Sequence, residues 1–134
     1  MKVIQKKGTA LVLLCLLMIL TPIVIKAQNL ESALPWTVYI LESDSTLQIS
    51  DQGVAHVSGY VIGKSGTTST SVQLTLQVKS GTTWLNKKSW SKSSSGTSTF
   101  VNEDYSVPKG TYRVVAKVKA NTESKTITSA SRTY

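Results

Sequence analysis

The residues of this 134-residue chain that could do chemistry are few and widely scattered. His56 is its single histidine, and a zinc site or a nucleophilic triad needs further ligands or an oriented acid beside it. The local sequence supplies neither, so His56 is expected to be a half-buried strand residue. Glu103 and Asp104 are adjacent, and neighbours on a strand point to opposite faces, so they cannot share a substrate as a glycosidase pair does. Glu42 and Asp44 share a face if their strand continues, but calcium wants six or more oxygens. Without Asp51 and a glycine turn converging on them they read as solvated acids. The many serines include none in a Gly-x-Ser-x-Gly setting. An enzyme is not expected, and no cofactor or metal is implied.

Two groups point instead to binding. Trp84 and Trp90 lie six apart, which on a regular strand puts both indoles on one face with Asn86 and Lys88 between them, a spacing that suits stacked sugar rings. The competing expectation is that Trp84 fills a core. Arg113, Lys117 and Lys119 line one face of a strand over about 20 Å at 3.3 Å per residue. Such a row can meet an anionic wall polymer or lipid, or it can simply guard a sheet against edge pairing.

These side chains need sheets to hold them. From Gln28 onward alternation dominates and no useful window has helical spacing. In Thr111 to Lys119, Tyr112, Val114, Ala116 and Val118 face one way while Arg113, Lys117 and Lys119 face the other. In Ser71 to Lys79, Val72, Leu74, Leu76 and Val78 oppose Gln73, Thr75, Gln77 and Lys79. Both strands therefore have one buried face. Weaker strands are expected at Trp36 to Leu41, Thr46 to Ile49, Val54 to Ile62, Thr83 to Lys92, Thr99 to Val107 and Ser124 to Thr133, giving seven or eight. Ser65-Gly66-Thr67-Thr68, Ser80-Gly81-Thr82-Thr83, Ser95-Gly96-Thr97-Ser98 and Lys109-Gly110-Thr111 read as hairpin turns with glycine at positive φ, punctuating an up-and-down sheet. The fold class is all-β, an immunoglobulin/fibronectin-like antiparallel sandwich of about seven strands following an N-terminal signal helix, with Tyr112 placed for a tyrosine corner. A small closed barrel is the competing architecture.

The organisation expected is a signal peptide over residues 1–27, a lead-in segment over 28–45 and a sandwich domain over 46–134. Lys2, Lys6 and Lys7 open a basic stretch, Ala10 to Leu20 is apolar without a break, and Pro22 precedes a small residue at Ala27 suited to signal peptidase. Thr9 to Ile25 also reaches the lower length limit of a membrane anchor, roughly 17 residues, if cleavage fails. Leu14 before Cys15 departs from a lipoprotein site, and Cys15 reads as an ordinary apolar residue. Removal of the signal lowers the formal charge from +8 to +4, eleven basic against seven acidic residues, and leaves no cysteine. An exported domain without disulfides points to a Gram-positive bacterial source, and the mild basic bias favours anionic partners at a cell surface over nucleic acid.

Leu74-Thr75-Leu76-Gln77, a glycine turn, Trp84 and then Val107-Pro108-Lys109-Gly110-Thr111-Tyr112-Arg113-Val114 form an ordered series. Following a signal peptide, it resembles a family of small secreted proteins of Gram-positive bacteria with no assigned function, over roughly Thr46 to the C-terminus. The resemblance implies export and a β-sandwich. The family pattern carries a histidine in the strand after Tyr-Arg-Val, where this chain has Lys117 and Lys119, and it offers no catalytic residue to carry over. The function expected is a secreted or wall-associated non-enzymatic module that binds an anionic cell-wall polymer, a glycan or a protein, with Trp84, Trp90, Arg113, Lys117 and Lys119 facing the ligand. The alternative is a small antibacterial or membrane-active protein.

Overall fold

A computed structural model of the protein describes residues 38–134. The expected signal segment with Cys15 and the expected cleavage position, most of the lead-in segment, and Trp36 lie outside the described residues.

The described residues form eight strands: β1 (Ile40–Ile49), β2 (Val54–Gly63), β3 (Thr70–Ser80), β4 (Thr83–Ser94), β5 (Ser98–Ser106), β6 (Thr111–Ala120), β7 (Glu123–Thr128) and β8 (Arg132–Thr133). They make two antiparallel sheets. One runs β1-β2-β5; the other runs β4-β3-β6-β7, with β8 pairing the start of β6. This is the immunoglobulin/fibronectin-like sandwich expected from the pattern, in the variant whose fourth strand joins the sheet of the third.

Alternation decides which side of each sheet is buried. Tyr112, Val114, Ala116, Val118 and Ala120 on β6 are wholly inaccessible, as are Leu74 and Leu76 on β3. Ala55, Val57 and Val61 on β2 and Val101 on β5 meet them from the other sheet. Thr70 and Thr99 link the sheets through a buried hydroxyl pair at 2.7 Å, with Thr70 donating onward to the Gly96 carbonyl. Tyr112 Oη donates to the Pro108 carbonyl at 2.7 Å, which is the tyrosine corner.

Three local expectations are corrected. The strands expected at Trp36 to Leu41 and Thr46 to Ile49 are one strand, β1, which begins ahead of Thr46 and absorbs one extra residue, Leu41, in a bulge between Ile40 and Glu42. Its start is held by Glu123, whose carboxylate accepts the N–H groups of Tyr39 (2.6 Å) and Ile40 (2.8 Å). The C-terminal strand divides into β7 and β8, separated by Ser129, Ala130 and Ser131; Ser129 donates its N–H to the Val114 carbonyl, and its hydroxyl accepts the Val114 N–H.

The glycine turns do not punctuate an up-and-down sheet. Of these four, only Gly81 closes a hairpin, β3 to β4, at φ +63° as the first residue of a two-residue loop. Gly66 has positive φ but sits in a crossing from one sheet to the other. Gly96 and Gly110 lie in two further crossings without positive φ.

Candidate functional site

The outer face of the five-stranded sheet carries four cations. Its residues line up in rows across the strands, because antiparallel partners directly opposite each other share a face. From one end, Lys79 pairs with Trp84, then Arg113 with Gln77 and Asn86, and Val115 with Thr75 and Ser89. Lys117 with Gln73 and Ser91, and Lys119 with Ser71 and Ser93, complete the series. Every outward position on β6 from Arg113 to Lys119 is thus a cation except Val115. Among the described residues no carboxylate forms an ion pair with any of these four.

The first cation is held in place. Arg113 Nε donates to Gln77 Oε1 at 2.8 Å, and Gln77 Nε2 donates to Asn86 Oδ1 at 2.9 Å, so a relay crosses three strands. The guanidinium lies over the Trp84 ring, 4.2 Å from its centroid. A planar cation fixed this way keeps its remaining N–H edge for a ligand and loses little entropy on binding. Lys117 and Lys119 are exposed, and the row ends in a shallow hydroxyl-lined cleft of about 340 Å³ that includes Lys119, Ser71, Ser93 and Ser94.

Trp84 and Trp90 are not on one face. Leu76 opposes Lys88 and Gln77 opposes Asn86, so Lys87 is an extra residue in β4, and one extra residue inverts the alternation. Trp84 therefore lies outside, beside Lys79 and beneath Arg113, and does not fill the core. Trp90 lies inside opposite Leu74, half-buried, with its ring 6.0 Å from Tyr105 at 77°. The two-indole sugar platform is absent for that reason, while Trp84 joins Arg113, Lys117 and Lys119 on the basic face. Lys79, which alternation places on the same side as Gln77, joins them only through the pairing of β3 with β4.

The outer face of the other sheet has the opposite sign. Glu42 and Asp44 do share it, as a continuing strand requires, and Asp104 joins them from β5. Asp51 sits apart in the β1–β2 turn. Glu42 accepts the Tyr60 hydroxyl at 2.6 Å, and this bond to a carboxylate is the main cause that raises the Tyr60 phenol above its usual value. Tyr60 stacks on Phe100, centroids 5.5 Å apart.

His56 is exposed on this face, not half-buried, and its Nδ1 lies 2.5 Å from Asp104 Oδ1. The two belong to different strands, 48 positions apart, and only the β2–β5 register brings them together. Among the described residues His56 bonds Asp104 alone, and no hydroxyl is hydrogen-bonded to its ring. Glu103 opposes Val57 on the other side of the sheet, so the adjacent acids are split as expected. Among the described residues no three potential ligands converge on a metal position.

An immunoglobulin-like sandwich with two oppositely charged outer faces is the class of molecule that this geometry defines. No protein-family description and no curated protein matches the chain. Among solved structures it is similar to the CARDB domain of a Pyrococcus furiosus protein, crystallised in complex with di-metal ions, at 14% identity and a TM-score of 0.40, over 73% of this chain and 93% of that one.

Proposed function

We propose that the protein is an exported, non-enzymatic binding module of a Gram-positive cell surface, akin to the small secreted proteins it resembles in sequence, and that its basic sheet face holds an anionic surface polymer. One observation carries the reading: Lys79, Arg113, Lys117 and Lys119 occupy a single outer face on which Arg113 is already oriented by Gln77 and Trp84. Cations spread for solubility alone need no such relay. An open, hydroxyl-rich surface also suits an extended chain better than a small molecule, which prefers a concave, mostly apolar pocket.

Retention of the purified protein on isolated Gram-positive sacculi is the test. Replacing Arg113, Lys117 and Lys119 together by serine is expected to abolish retention. Neutralising the opposite face with Glu42→Gln and Asp44→Asn is expected to leave it intact. Four neutralised phosphates on a flexible chain give a log–log salt slope near −2.8, so raising salt from 50 to 200 mM should weaken binding about 50-fold. Absence of retention, or retention unaffected by the triple substitution, refutes the reading. Leakage of anionic vesicles in place of wall retention would favour the membrane-active alternative. Mass spectrometry of the secreted protein is expected to find Gln28 at its N-terminus; an intact Met1 in the membrane fraction overturns cleavage.

A further inference from the structure

The spacing of the basic rows matches polyanions of one backbone repeat. Two residues of an extended strand contain six backbone bonds and advance about 6.6 Å. Counting in such steps along β6, Lys79 lies beside the first position, Arg113 at the second, Lys117 at the fourth and Lys119 at the fifth; Val115 occupies the third. A polymer with six backbone bonds between successive phosphates can span a similar distance per repeat, its longer P–O bonds being taken up by small departures from full extension. A 1,3-linked glycerol phosphate chain is such a polymer. Once one phosphate meets one row, the others fall on successive rows.

We infer that the basic face is built for a linear phosphodiester of six-bond repeat lying along β6. This rests on the anionic-polymer reading above and narrows it to a ligand class. Each charged row on β6 adds neutral donors across β3 and β4 for the remaining phosphate oxygens: Gln73 and Ser91 beside Lys117, Ser71 and Ser93 beside Lys119. An eight-bond repeat, as in a 1,5-linked ribitol phosphate, is longer by about 2.4 Å and drifts by more than one row within four steps. Single-stranded nucleic acid also has a six-bond repeat, but its bases require aromatic platforms. On this face the aromatic residue is Trp84, whose ring is already covered on one side by Arg113. The geometry therefore favours a backbone without bases.

The test is titration of the secreted protein with three synthetic hexamers of nearly equal charge: 1,3-glycerol phosphate, 1,5-ribitol phosphate and oligo-dT. The glycerol phosphate hexamer is expected to bind at least about tenfold tighter than the other two, as loss of one or more seated phosphates implies. Val115→Lys fills the vacant row and should tighten the glycerol phosphate hexamer several-fold without helping the ribitol one. Lys117→Ser should weaken it, whereas Lys88→Ser, on the opposite side of β4, should not. Melting temperatures of the variants confirm that each is folded. Equal affinity for the glycerol and ribitol chains overturns the inference while sacculus retention leaves the broader reading standing. Tighter oligo-dT binding overturns it in favour of nucleic acid. Failure of all three hexamers together with loss of sacculus retention overturns both.

Discussion

Replacing Tyr112 by phenylalanine isolates one atom of the fold. The side chain is completely buried in the core, opposite Val78 on β3, and phenylalanine keeps that burial. What is lost is the donor to the Pro108 carbonyl at 2.7 Å, which closes the crossing from β5 to β6. Removing one partner of a part-buried hydrogen bond costs about 1–2 kcal/mol, because the remaining carbonyl is left without its donor. For a domain of this size each kcal/mol moves the melting temperature by about 4–8 °C, so Tyr112→Phe should melt about 5–15 °C lower by circular dichroism at pH 7.

The same residue has a pH signature. Burial, with a smaller contribution from Tyr105, raises the Tyr112 phenol above its usual value near 10.0. The folded state thus prefers the neutral phenol. Its contribution is complete below pH 10 and is lost as pH rises through the higher folded value. Tyr112→Phe should lack this part of the alkaline decline. A variant melting within about 2 °C of the parent, with an unchanged alkaline limb, would refute the corner's role.

Gly59 faces inward on β2, and a Cβ there would stand 2.4 Å from Leu74 Cδ2. Because Leu74 is wholly buried and has little room to move, Gly59→Ala should destabilise by about 1–3 kcal/mol in urea unfolding. Glu123 is held below its usual carboxylate value chiefly by the N–H groups of Ile40 and Tyr39. Its contribution is therefore present above pH 4.5 and fades as pH falls through the lower folded value. Glu123→Gln should melt lower than the parent at pH 7 and converge with it in acid, which a pH series of thermal melts would check.

The strands legible in the sequence are those with one dry and one wet face. β3 and β6 were readable residue by residue because each apolar side chain alternates with a polar one, and the tyrosine corner followed from where β6 starts. β4 conceals its register for the opposite reason. It is an edge strand, exposed along most of its length, and Asn86-Lys87-Lys88 is polar on both sides. Nothing in that stretch marks which residue is extra.

In β1 the inward Ser43 and Ser45 disguise a buried face as a loop. Their hydroxyls, like that of Thr67, are buried without a hydrogen-bond partner among the described residues, a cost that no pattern would anticipate. The basic face was half legible: Arg113, Lys117 and Lys119 belong to one strand, but Lys79, Trp84 and Gln77 join them only through pairing. His56 and Asp104 are the extreme case, invisible until two strands are placed side by side.

The split of charge between the two outer faces also governs how the molecule sits. Packed sheets lie about 10 Å apart, and outward side chains reach further, so the two charged faces are separated by more than the screening length of roughly 8 Å at physiological ionic strength. An anionic surface touching Arg113, Lys117 and Lys119 is therefore barely repelled by Glu42, Asp44 and Asp104 on the far side. If the protein binds such a surface as proposed, adsorption is polarised and the molecule lands one way up. A layer of such molecules presents carboxylates and the Tyr60–Phe100 stack to the medium, so what arrives next meets an acidic, aromatic surface although the protein itself is basic.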